Sequence, residues 1–432
     1  MGREGLEPST LGSKEGRRRN DLLDIVDSET SSAVHVRSRH LPWDSVSRVS
    51  IPLQSARAEN LRDNQEHFDV AVVGGGQAGL AIGYNLAREG QRFVILEAAD
   101  SIGAAWRTRW DSLVLFTPRR YSALAGMPFP GDPDGYPTRD EVLAYLEEYV
   151  ETFKLPVRLN TPVRRLSSRD GGFVLELDEG HIVADQVVVA TGPFQVPLIP
   201  AVAGELSAEV FQVHSTGYMQ PSDIPPGTVL VVGGGNTGYQ IAKELSATHR
   251  VCLAVGSRQT PLPQRFLGRD LFWWLTRTGL IKKTVETRIG QRIQHRDTLI
   301  GSSPRDVRGH GVALKPRVTG ASSRTATFAD GSELEVDAVI WATGYRADYS
   351  WTDAPVFDSS GRVEHRRGVT DLPGLYFLGL SWQHTRGSAL IGWVKDDAEF
   401  IAEQIEAAQR EPGGRETLSC DAGHSRELRR LT

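Results

Sequence analysis

The chain has 432 residues, 39% of them hydrophobic, with 49 Lys and Arg against 54 Asp and Glu for a net charge of −5. This balance excludes the strongly basic composition that is typical of nucleic-acid-binding proteins, and no apolar run reaches the roughly 18 residues of a membrane span. Cys252 and Cys420 are too far apart for a CxxC pair, which excludes a disulfide framework or a paired-thiol metal site. The length predicts two or three domains, and the low cysteine content is typical of a cytoplasmic protein.

Residues 1–65 are polar, rich in Ser and Arg, and without sustained hydrophobic periodicity. Such a composition predicts a largely disordered extension. The opening letters GREGLEPSTLGS resemble the conceptual translation of the end of a transfer-RNA gene, which favours a native start further downstream. The alternative is a basic targeting arm around Arg17–Arg19, although short charge runs are usually solvated surface.

The stretch Phe68–Glu97 has the pattern of a strand, a glycine-rich turn, a helix and a second strand. Phe68–Val73 is apolar and rich in β-branched residues, as in a buried parallel strand. Gln77–Glu89 has helical spacing, and Phe93–Leu96 is the second predicted strand. Glu97 follows this strand directly.

The turn in this stretch carries a dinucleotide-binding fingerprint. Its first glycine permits the tight bend, the second lets the backbone approach a pyrophosphate, and the third lets the helix pack on the strand. The free N–H groups of the helix then hold the phosphates. An acid about 20 residues further on accepts a ribose hydroxyl, and Glu97 lies 23 residues after Gly74. The predicted residues of the first site are Gly74, Gly76, Gln77, Ala78, Gly79 and Glu97.

Gly, Pro and aromatic residues crowd the segment 98–137, which has little regular pattern. Irregular segments of this length are uncommon unless they bind something. A helix is predicted over Thr138–Phe153, beginning with a capping box of Thr138 and Glu141. Val157–Ala184 predicts a short antiparallel meander.

The opening pattern recurs in the second half of the chain. Thr228–Val232 predicts a strand, Asn236–Ser246 a helix and Val251–Val255 a second strand. The turn of this second copy supplies the predicted residues Gly233, Gly235, Asn236 and Gly238.

Each glycine turn is followed by the pattern Asp-x-Val-x-x-Ala-Thr-Gly. It begins 111 residues after the first turn and 104 residues after the second. In the first copy the predicted strand Gln186–Ala190 ends in Thr191 and Gly192, and in the second the pattern ends in Ala342, Thr343 and Gly344. Agreement in motif, order and spacing predicts two copies of one α/β fold.

The copies differ at the end of the second strand. The first copy has Glu97 there, whereas the second has Ser257 and Arg258 and no acid. An acid favours a free ribose 2′-hydroxyl, and an arginine accommodates a 2′-phosphate. We therefore predict FAD in the first site and NADPH in the second. The alternative for Arg258 is an ordinary surface arginine.

The segment after the second copy, residues 345–410, is expected to complete the first domain. Leu375–Leu378 predicts a buried strand with Gly379 at its end, and Gly392–Ala408 predicts a final helix. The predicted division is an N-terminal extension, an FAD-binding domain in two parts, an inserted NADPH-binding domain and a flexible tail; these span 1–65, 66–197 with 345–410, 198–344 and 411–432.

The chain from about Phe68 to Ala408 resembles the flavin-containing monooxygenases, which are class B flavoproteins with an FAD domain and an inserted NADPH domain. The resemblance is to their bacterial CzcO-like and plant YUCCA-like branch. It rests on the segments VVGGGQAGL, WRTRWDSLVLFTPRRYSALAGMPFP, VVATGPFQVPLIP, VLVVGGGNTGYQIA, LPQRFLGRDLFWWL, VIWATGY and LPGLYFLGL.

The resemblance also implies roles for individual residues. Trp106 and Arg107 match the loop on the flavin side, and Gly379 matches a position near the isoalloxazine. Ala342-Thr343-Gly344 matches the start of the linker between the domains.

The activity that the resemblance implies is oxygen insertion into a small organic substrate. NADPH reduces FAD, and the reduced flavin adds O₂ to form a C4a-(hydro)peroxyflavin that gives one oxygen to the substrate. The cofactor carries this chemistry, so no catalytic acid or base is assigned. One alternative is an NAD(P)H:acceptor oxidoreductase that passes electrons to a quinone or a protein. The other is a flavin redox sensor linked to cation transport.

The sequence allows more than one interpretation of two features. The segment Asp270–Lys283, with its Phe-Trp-Trp run, is compatible with a substrate mouth, a peripheral membrane contact or simple burial in the core or a homodimer interface. Burial is the favoured interpretation. His214 is interpreted as an ordinary loop histidine, with a polar contact in the domain linker as the alternative.

Overall fold

The computed structural model describes residues 66–257, 259–294 and 298–410, so the expectations for 1–65, 411–432 and Arg258 lie outside the described residues. The first copy forms as predicted. β1 spans Glu66–Val73, α1 spans Gln77–Arg88 and β2 spans Phe93–Leu96. β1 and β2 pair in parallel, because the crossover through α1 returns the chain in the same direction.

The helix predicted after the irregular segment is also confirmed. A short helix, α2, spans Ala104–Arg107, and α3 spans Arg139–Phe153. The Thr138 hydroxyl accepts from the N–H of Glu141, while the Glu141 carboxylate accepts from the N–H of Thr138. This is the predicted capping box, which satisfies two N–H groups at the start of the helix.

The meander differs from the prediction at both ends. The strand β3, Val157–Arg158, pairs in parallel with β2 and does not belong to the meander. The meander consists of β4 (Arg165–Arg169), β5 (Gly172–Glu176) and β6 (His181–Val189). β6 also includes the strand that was predicted separately. Its first half alternates between buried and less buried residues because it is a hairpin arm, and its second half is buried on both faces.

The middle of the chain forms the second copy. Its predicted strand, helix and strand are confirmed to within one residue as β9, α4 and β10. The elements in this part are β7 (Val196–Pro197), β8 (Phe211–His214), β9 (Thr228–Val232), α4 (Asn236–Leu245) and β10 (Arg250–Ala254).

The next elements are short. They are β11 (Thr260–Leu262), β12 (Arg265–Phe266), β13 (Arg269–Asp270), α5 (Leu271–Arg277), α6 (Arg288–Gln294), β14 (Thr298–Ile300), α7 (Pro304–Gly309), β15 (Ala313–Lys315), β16 (Val318–Ser322), β17 (Thr325–Phe328), β18 (Glu333–Glu335) and β19 (Ala338–Trp341). The return segment adds β20 (Tyr345–Arg346), β21 (Thr352–Asp353), β22 (Leu375–Phe377) and α8 (Val394–Arg410). Short 3-10 helices span Arg119–Tyr121, Ala201–Glu205, Pro221–Asp223 and Leu280–Lys282.

Two large sheets organise these elements: the first is mixed, with the antiparallel meander at one side, and the second is parallel. The first has the order β21-β4-β5-β6-β1-β2-β3, with β22 on β6, and the second has the order β15-β10-β9-β19-β8. All strands of the second sheet come between β6 and β21 in the chain, so the second copy is inserted into the first. In each copy the strand before the glycine turn lies between the strand after the helix and the strand that ends in Ala-Thr-Gly. The duplicated α/β fold is therefore confirmed.

The two chain crossings between the sheets run side by side. Pro197 of β7 pairs with Tyr345 of β20, and Val196 pairs with Arg346. Both faces of each sheet are covered: Val70 and Val72 pack towards α1 and α8, whereas Ala71 and Val73 pack towards the aromatic residues of the other face. No helix among the residues 66–257, 259–294 and 298–410 is long and apolar enough to cross a bilayer.

Candidate cofactor sites

The first glycine turn has the close contacts that its motif requires. Gly74 adopts a φ of 112°, and a Cβ there would lie 2.7 Å from the carbonyl oxygen of Ala190. A Cβ on Gly79 would lie 1.9 Å from the carbonyl oxygen of Gly74, so the helix and the turn approach as closely as glycine allows. No atom lies within 4 Å of a Cβ on Gly76, and no side chain caps α1. The helix N–H groups therefore face open space, which fits a pyrophosphate.

Glu97 is fixed beside this turn. Its carboxylate accepts from the backbone N–H of Gly75 at 2.6 Å and from that of Ala99 at 2.9 Å. These two bonds hold the carboxylate at the carboxyl end of β2 and leave lone pairs for further donors. The position fits hydrogen bonds from the ribose of an adenosine.

Three distant segments meet at the first turn of α1. The Trp106 indole N–H donates to the Gln77 side-chain oxygen at 3.0 Å, and the Gln77 amide donates to the carbonyl of Ala389 at 3.0 Å. A Cβ on Gly379, whose φ is 85°, would lie 2.9 Å from the Cβ of Ala78. The tertiary structure thus brings the irregular segment and the return segment to the first glycine turn.

Arg107 points elsewhere. Its guanidinium pairs with Glu147 of α3, and both side chains are nearly half exposed. This pair lies on the surface, so the role of Arg107 at a cofactor remains a prediction.

Arg386 is a cation in the same return segment that sequence reasoning missed. Its side chain is partly buried, and burial lowers the pKa of its guanidinium. It forms no hydrogen bond or ion pair with the residues that the structure describes. Because the guanidinium is partly desolvated, an anionic group on a bound molecule would be a favourable partner for it. A single Arg in a polar loop gives no sequence signal of that kind.

Thr191 and Gly192 are organised by Gln195, another residue that the motif does not include. The Gln195 amide donates to the Thr191 hydroxyl at 2.9 Å and to the Gly192 carbonyl at 2.8 Å. The Gln195 side-chain oxygen accepts from the N–H of Asp348 at 2.9 Å. This side chain therefore ties the end of β6 to the segment that follows the second sheet.

The second glycine turn repeats the geometry of the first. Gly233 adopts a φ of 138°, and a Cβ there would lie 2.1 Å from the carbonyl of Ala342. A Cβ on Gly238 would lie 2.0 Å from the carbonyl of Gly233, and no atom lies within 4 Å of one on Gly235. As in the first copy, no side chain caps the helix.

A cavity of about 690 Å³ lies over this second turn. It is bounded by the turn itself, by Ala342, Thr343 and Gly344, and by Trp341 beneath them. Asn236 also lines it, although its side-chain oxygen accepts from the N–H of Ile300 at 2.9 Å and so anchors β14. The cavity lies at the carboxyl ends of parallel strands, where dinucleotides bind in this type of sheet.

The far end of this cavity holds a residue that the sequence did not identify. Ser257 lines the cavity, and Gln259 donates to its hydroxyl at 3.1 Å. Arg258 lies outside the described residues. Arg317 also lines the cavity, and its guanidinium donates to the carbonyl of Gly256 at 3.2 Å. Since Arg317 comes 59 residues after Arg258, only the tertiary structure brings it here.

The interpretation of His214 as an ordinary loop histidine is wrong. His214 is the last residue of β8, and it is buried. Its Nδ1 accepts from the N–H of Thr216 at 3.3 Å, so Nε2 carries the proton and donates to the Gly344 carbonyl at 3.0 Å. The Tyr345 ring lies edge-on, 5.0 Å away. His214 therefore holds the crossing between the sheets, a contact that requires the fold to be known.

Burial lowers the pKa of His214, and the nearby Arg109 acts in the same direction. The folded state thus favours the neutral ring, and this contribution to stability is present above the unfolded pKa of about 6.5 and is lost as the pH falls through the lower folded pKa. We expect His214→Gln, which keeps a donor for Gly344, to flatten the loss of thermal stability on acidification. His310→Gln, at an exposed position, is the control. An unchanged slope for His214→Gln would contradict the assignment.

The centre of the segment Asp270–Lys283 is buried, as the favoured interpretation of its sequence expects. Phe272 is fully buried and stacks on Phe116 at a centroid distance of 6.0 Å, and it contacts Trp393 at 5.5 Å. Asp270 caps α5 by accepting from the N–H of Phe272 at 2.7 Å. The aromatic run therefore joins the inserted copy to the irregular segment and to the return segment.

The comparisons with known proteins agree with this arrangement. The family model described as pyridine nucleotide-disulphide oxidoreductase matches residues 71–379, and its description implies the use of a flavin and a pyridine nucleotide. An uncharacterized oxidoreductase CzcO-like of Geobacillus kaustophilus is 47% identical over 344 residues, which are 79% of this chain and 99% of that protein. The rice protein named indole-3-pyruvate monooxygenase YUCCA1 is 29% identical over 385 residues, covering 79% and 92%.

A solved flavin-containing monooxygenase from Stenotrophomonas maltophilia is 31% identical, with a TM-score of 0.67 over 79% of this chain and 99% of that one. Its fold supports the pairing of two dinucleotide-binding copies that the glycine turns indicate. With a family model over most of the chain and a relative at 47% identity over nearly its whole length, the chain belongs to the class B flavin monooxygenases and is a flavin-dependent oxidoreductase.

Proposed function

We propose that this enzyme is an NADPH-dependent monooxygenase that holds FAD at the first glycine turn and NADPH at the second. Residues 66–197 and 345–410 would form the FAD domain, and 198–344 the NADPH domain. The single observation that carries the proposal is the pair of matching turns with groups of opposite charge near the end of the second strand of each copy. One has a fixed carboxylate, Glu97, and the other has Arg317 beside Ser257.

The described residues fit these two cofactors. Gly76 and Gly235 leave open space over uncapped helix N-termini. Glu97 would accept the ribose hydroxyls of FAD, with Trp106 and Gly379 on the flavin side. Thr191 and Gly192 would lie along the same cofactor, and Thr343 and Gly344 along the NADPH.

A bound flavin supplies the chemistry that activates O₂ and transfers one oxygen atom to a substrate. The names of the relatives, an indole-3-pyruvate monooxygenase and a flavin-containing monooxygenase, support a small organic substrate. The chain's own contribution is to bind and orient the two cofactors and to exclude water from the reacting groups.

The test is to measure NADPH oxidation, O₂ consumption and product formation by the purified flavoprotein in oxygen gas enriched in the heavy isotope. A product that carries the label supports oxygen insertion. A protein without flavin would overturn the proposal. Hydrogen peroxide as the sole oxygen product, with efficient reduction of a quinone, would instead favour the acceptor reductase. Cys252 is not suited to disulfide reduction, because it is buried in β10 and burial raises its pKa to about 11.

Coenzyme preference is a separate prediction. Arg317→Ala should raise the KM for NADPH by roughly tenfold or more, because hydrogen bonds from a guanidinium to a phosphate contribute about 1.5–3 kcal/mol. The KM for NADH should change little. Arg317→Lys, which keeps the charge, should lie in between. If Arg258→Ala alone changes the ratio of the two KM values, Arg317 does not contact the 2′-phosphate.

A further inference from the structure

The segment 265–292 carries a group of exposed apolar side chains. β12 and β13 form a hairpin whose turn includes Leu267. Phe266 is 56% exposed and Leu267 is 74% exposed. Leu267 also adopts a φ of 49°, a left-handed conformation that leucine rarely takes. Leu280 and Ile289 are exposed as well. Apolar side chains held in water, one of them on an unfavourable backbone, indicate a binding surface.

The same segment is strongly basic. It holds five Arg and two Lys against Asp270 and Glu286, a surplus of five positive charges in a chain whose net charge is −5. Asp270 is buried and accepts hydrogen bonds from Tyr136 at 2.7 Å and Gln264 at 2.9 Å. None of these seven cations forms an ion pair with a side chain in the described ranges, although many surface arginines elsewhere do. The positive charge is therefore available to an external anion.

A small cleft lies behind the hairpin. It has a volume of about 60 Å³, and its charged walls are three arginines and two aspartates, Arg120, Arg265, Arg269, Asp134 and Asp270. Arg120 is paired with Asp134 at 2.8 Å, and Arg269 lies 5.5 Å from the ring centroid of Trp273. Asp134 is taken up by Arg120, and Asp270 by Tyr136 and Gln264. Arg265 and Arg269 therefore form no side-chain ion pair beside this cleft, among the residues that the structure describes.

The hairpin is tied to the core of the protein. The Trp274 indole N–H donates to the carbonyl of Phe266 at 2.9 Å, and the two rings lie 6.3 Å apart. α5, which carries Trp274, is anchored by the buried Phe272. The exposed tip therefore projects from a supported base.

We propose that the hairpin tip and its surrounding cations bind the surface of an anionic phospholipid membrane. Phe266 and Leu267 would enter the boundary between headgroups and acyl chains, while Arg265 and Arg269 would contact lipid phosphates. Apolar residues beside half-buried tryptophans and arginines are the combination that such an interface favours. The binding would be peripheral and dependent on ionic strength.

Other occupants fit this surface less well. A second copy of the chain, docked through the same face, would bring two surpluses of five positive charges together, which is repulsive. The tip of a two-stranded hairpin is convex, so a protein partner would need a matching groove. A lipid surface deforms to accept it and supplies the negative charge.

The experiment is flotation of the full-length flavoprotein with two kinds of vesicle, phosphatidylcholine alone and phosphatidylcholine mixed with phosphatidylglycerol. We expect flotation with the mixed vesicles only, and release at high salt. Phe266→Ser combined with Leu267→Ser should lower the partition coefficient about tenfold or more. Leu159→Ser, at another exposed leucine, is the matched control and should bind as the unmodified protein does.

Charge is tested in the same assay. Arg265→Glu with Arg269→Glu should abolish flotation, whereas Arg265→Lys with Arg269→Lys should retain it.

Leu267→Gly removes the apolar tip at a φ that suits glycine, so it keeps the test valid if the double serine variant does not fold. NADPH oxidation should be unchanged in Leu267→Gly. Equal binding to neutral vesicles, or binding that none of these changes reduces, would overturn the proposal, as would salt-sensitive dimerisation without lipid.

Discussion

Gly235→Ala is expected to give a protein that keeps its flavin but is hardly reduced by NADPH. The backbone of Gly235 is extended, with a φ of −81°, and no atom lies within 4 Å of an added Cβ. The fold therefore tolerates alanine, but the methyl group occupies the space over the helix N-terminus. Losing one close contact to a charged phosphate costs about 1.5–3 kcal/mol, a rise in the KM for NADPH of roughly 10- to 150-fold. Anaerobic reduction kinetics with NADPH and with dithionite measure it.

Gly76→Ala should show the opposite loss. Gly76 has the same extended backbone and the same open surroundings in the first copy. This variant should fold and still bind NADPH, but it should be purified with little flavin. Gly309→Ala is the control, since a Cβ there also meets open space but Gly309 belongs to α7 and to neither glycine turn. If Gly76→Ala impaired NADPH binding and Gly235→Ala impaired flavin binding, the assignment of the cofactors would be reversed.

The second large effect concerns stability. Phe272→Ala should lower the free energy of unfolding by about 3–5 kcal/mol, because it leaves a cavity where a fully buried ring contacts Phe116 and Trp393. Those two partners come from the irregular segment and the return segment, so the contacts between the inserted copy and both segments should loosen. Chemical denaturation of the flavoprotein measures the change.

The comparison for this variant is Phe266→Ala, six residues earlier in the chain. Phe266 is 56% exposed, and a surface substitution of this kind changes stability by about 0.5 kcal/mol or less. If both variants were equally stable, the aromatic run would not be part of the core, and its interpretation as a substrate mouth would regain support.

Local patterns were sufficient for most of the secondary structure. The strands and helices around both glycine turns, and the capping box of α3, could be predicted because each depends on residues within a few positions of one another. Because local patterns were used alone, the prediction assigned the two halves of β6 to separate strands. Its two halves have different partners, an antiparallel hairpin arm and a parallel central strand, and no local pattern shows that one strand serves both.

The residues of the candidate sites also fall into those that local patterns predict and those that only the tertiary structure identifies. The sequence by itself determined the two glycine turns, the acid Glu97 and the duplication, since all of these follow from spacing along the chain. Only the tertiary structure decided that Gln77 links Trp106 to Ala389, that His214 holds Gly344, and that Arg317 lies beside Ser257. Each of these contacts joins segments far apart in the chain, and their distance in space depends on how the two sheets are folded and joined.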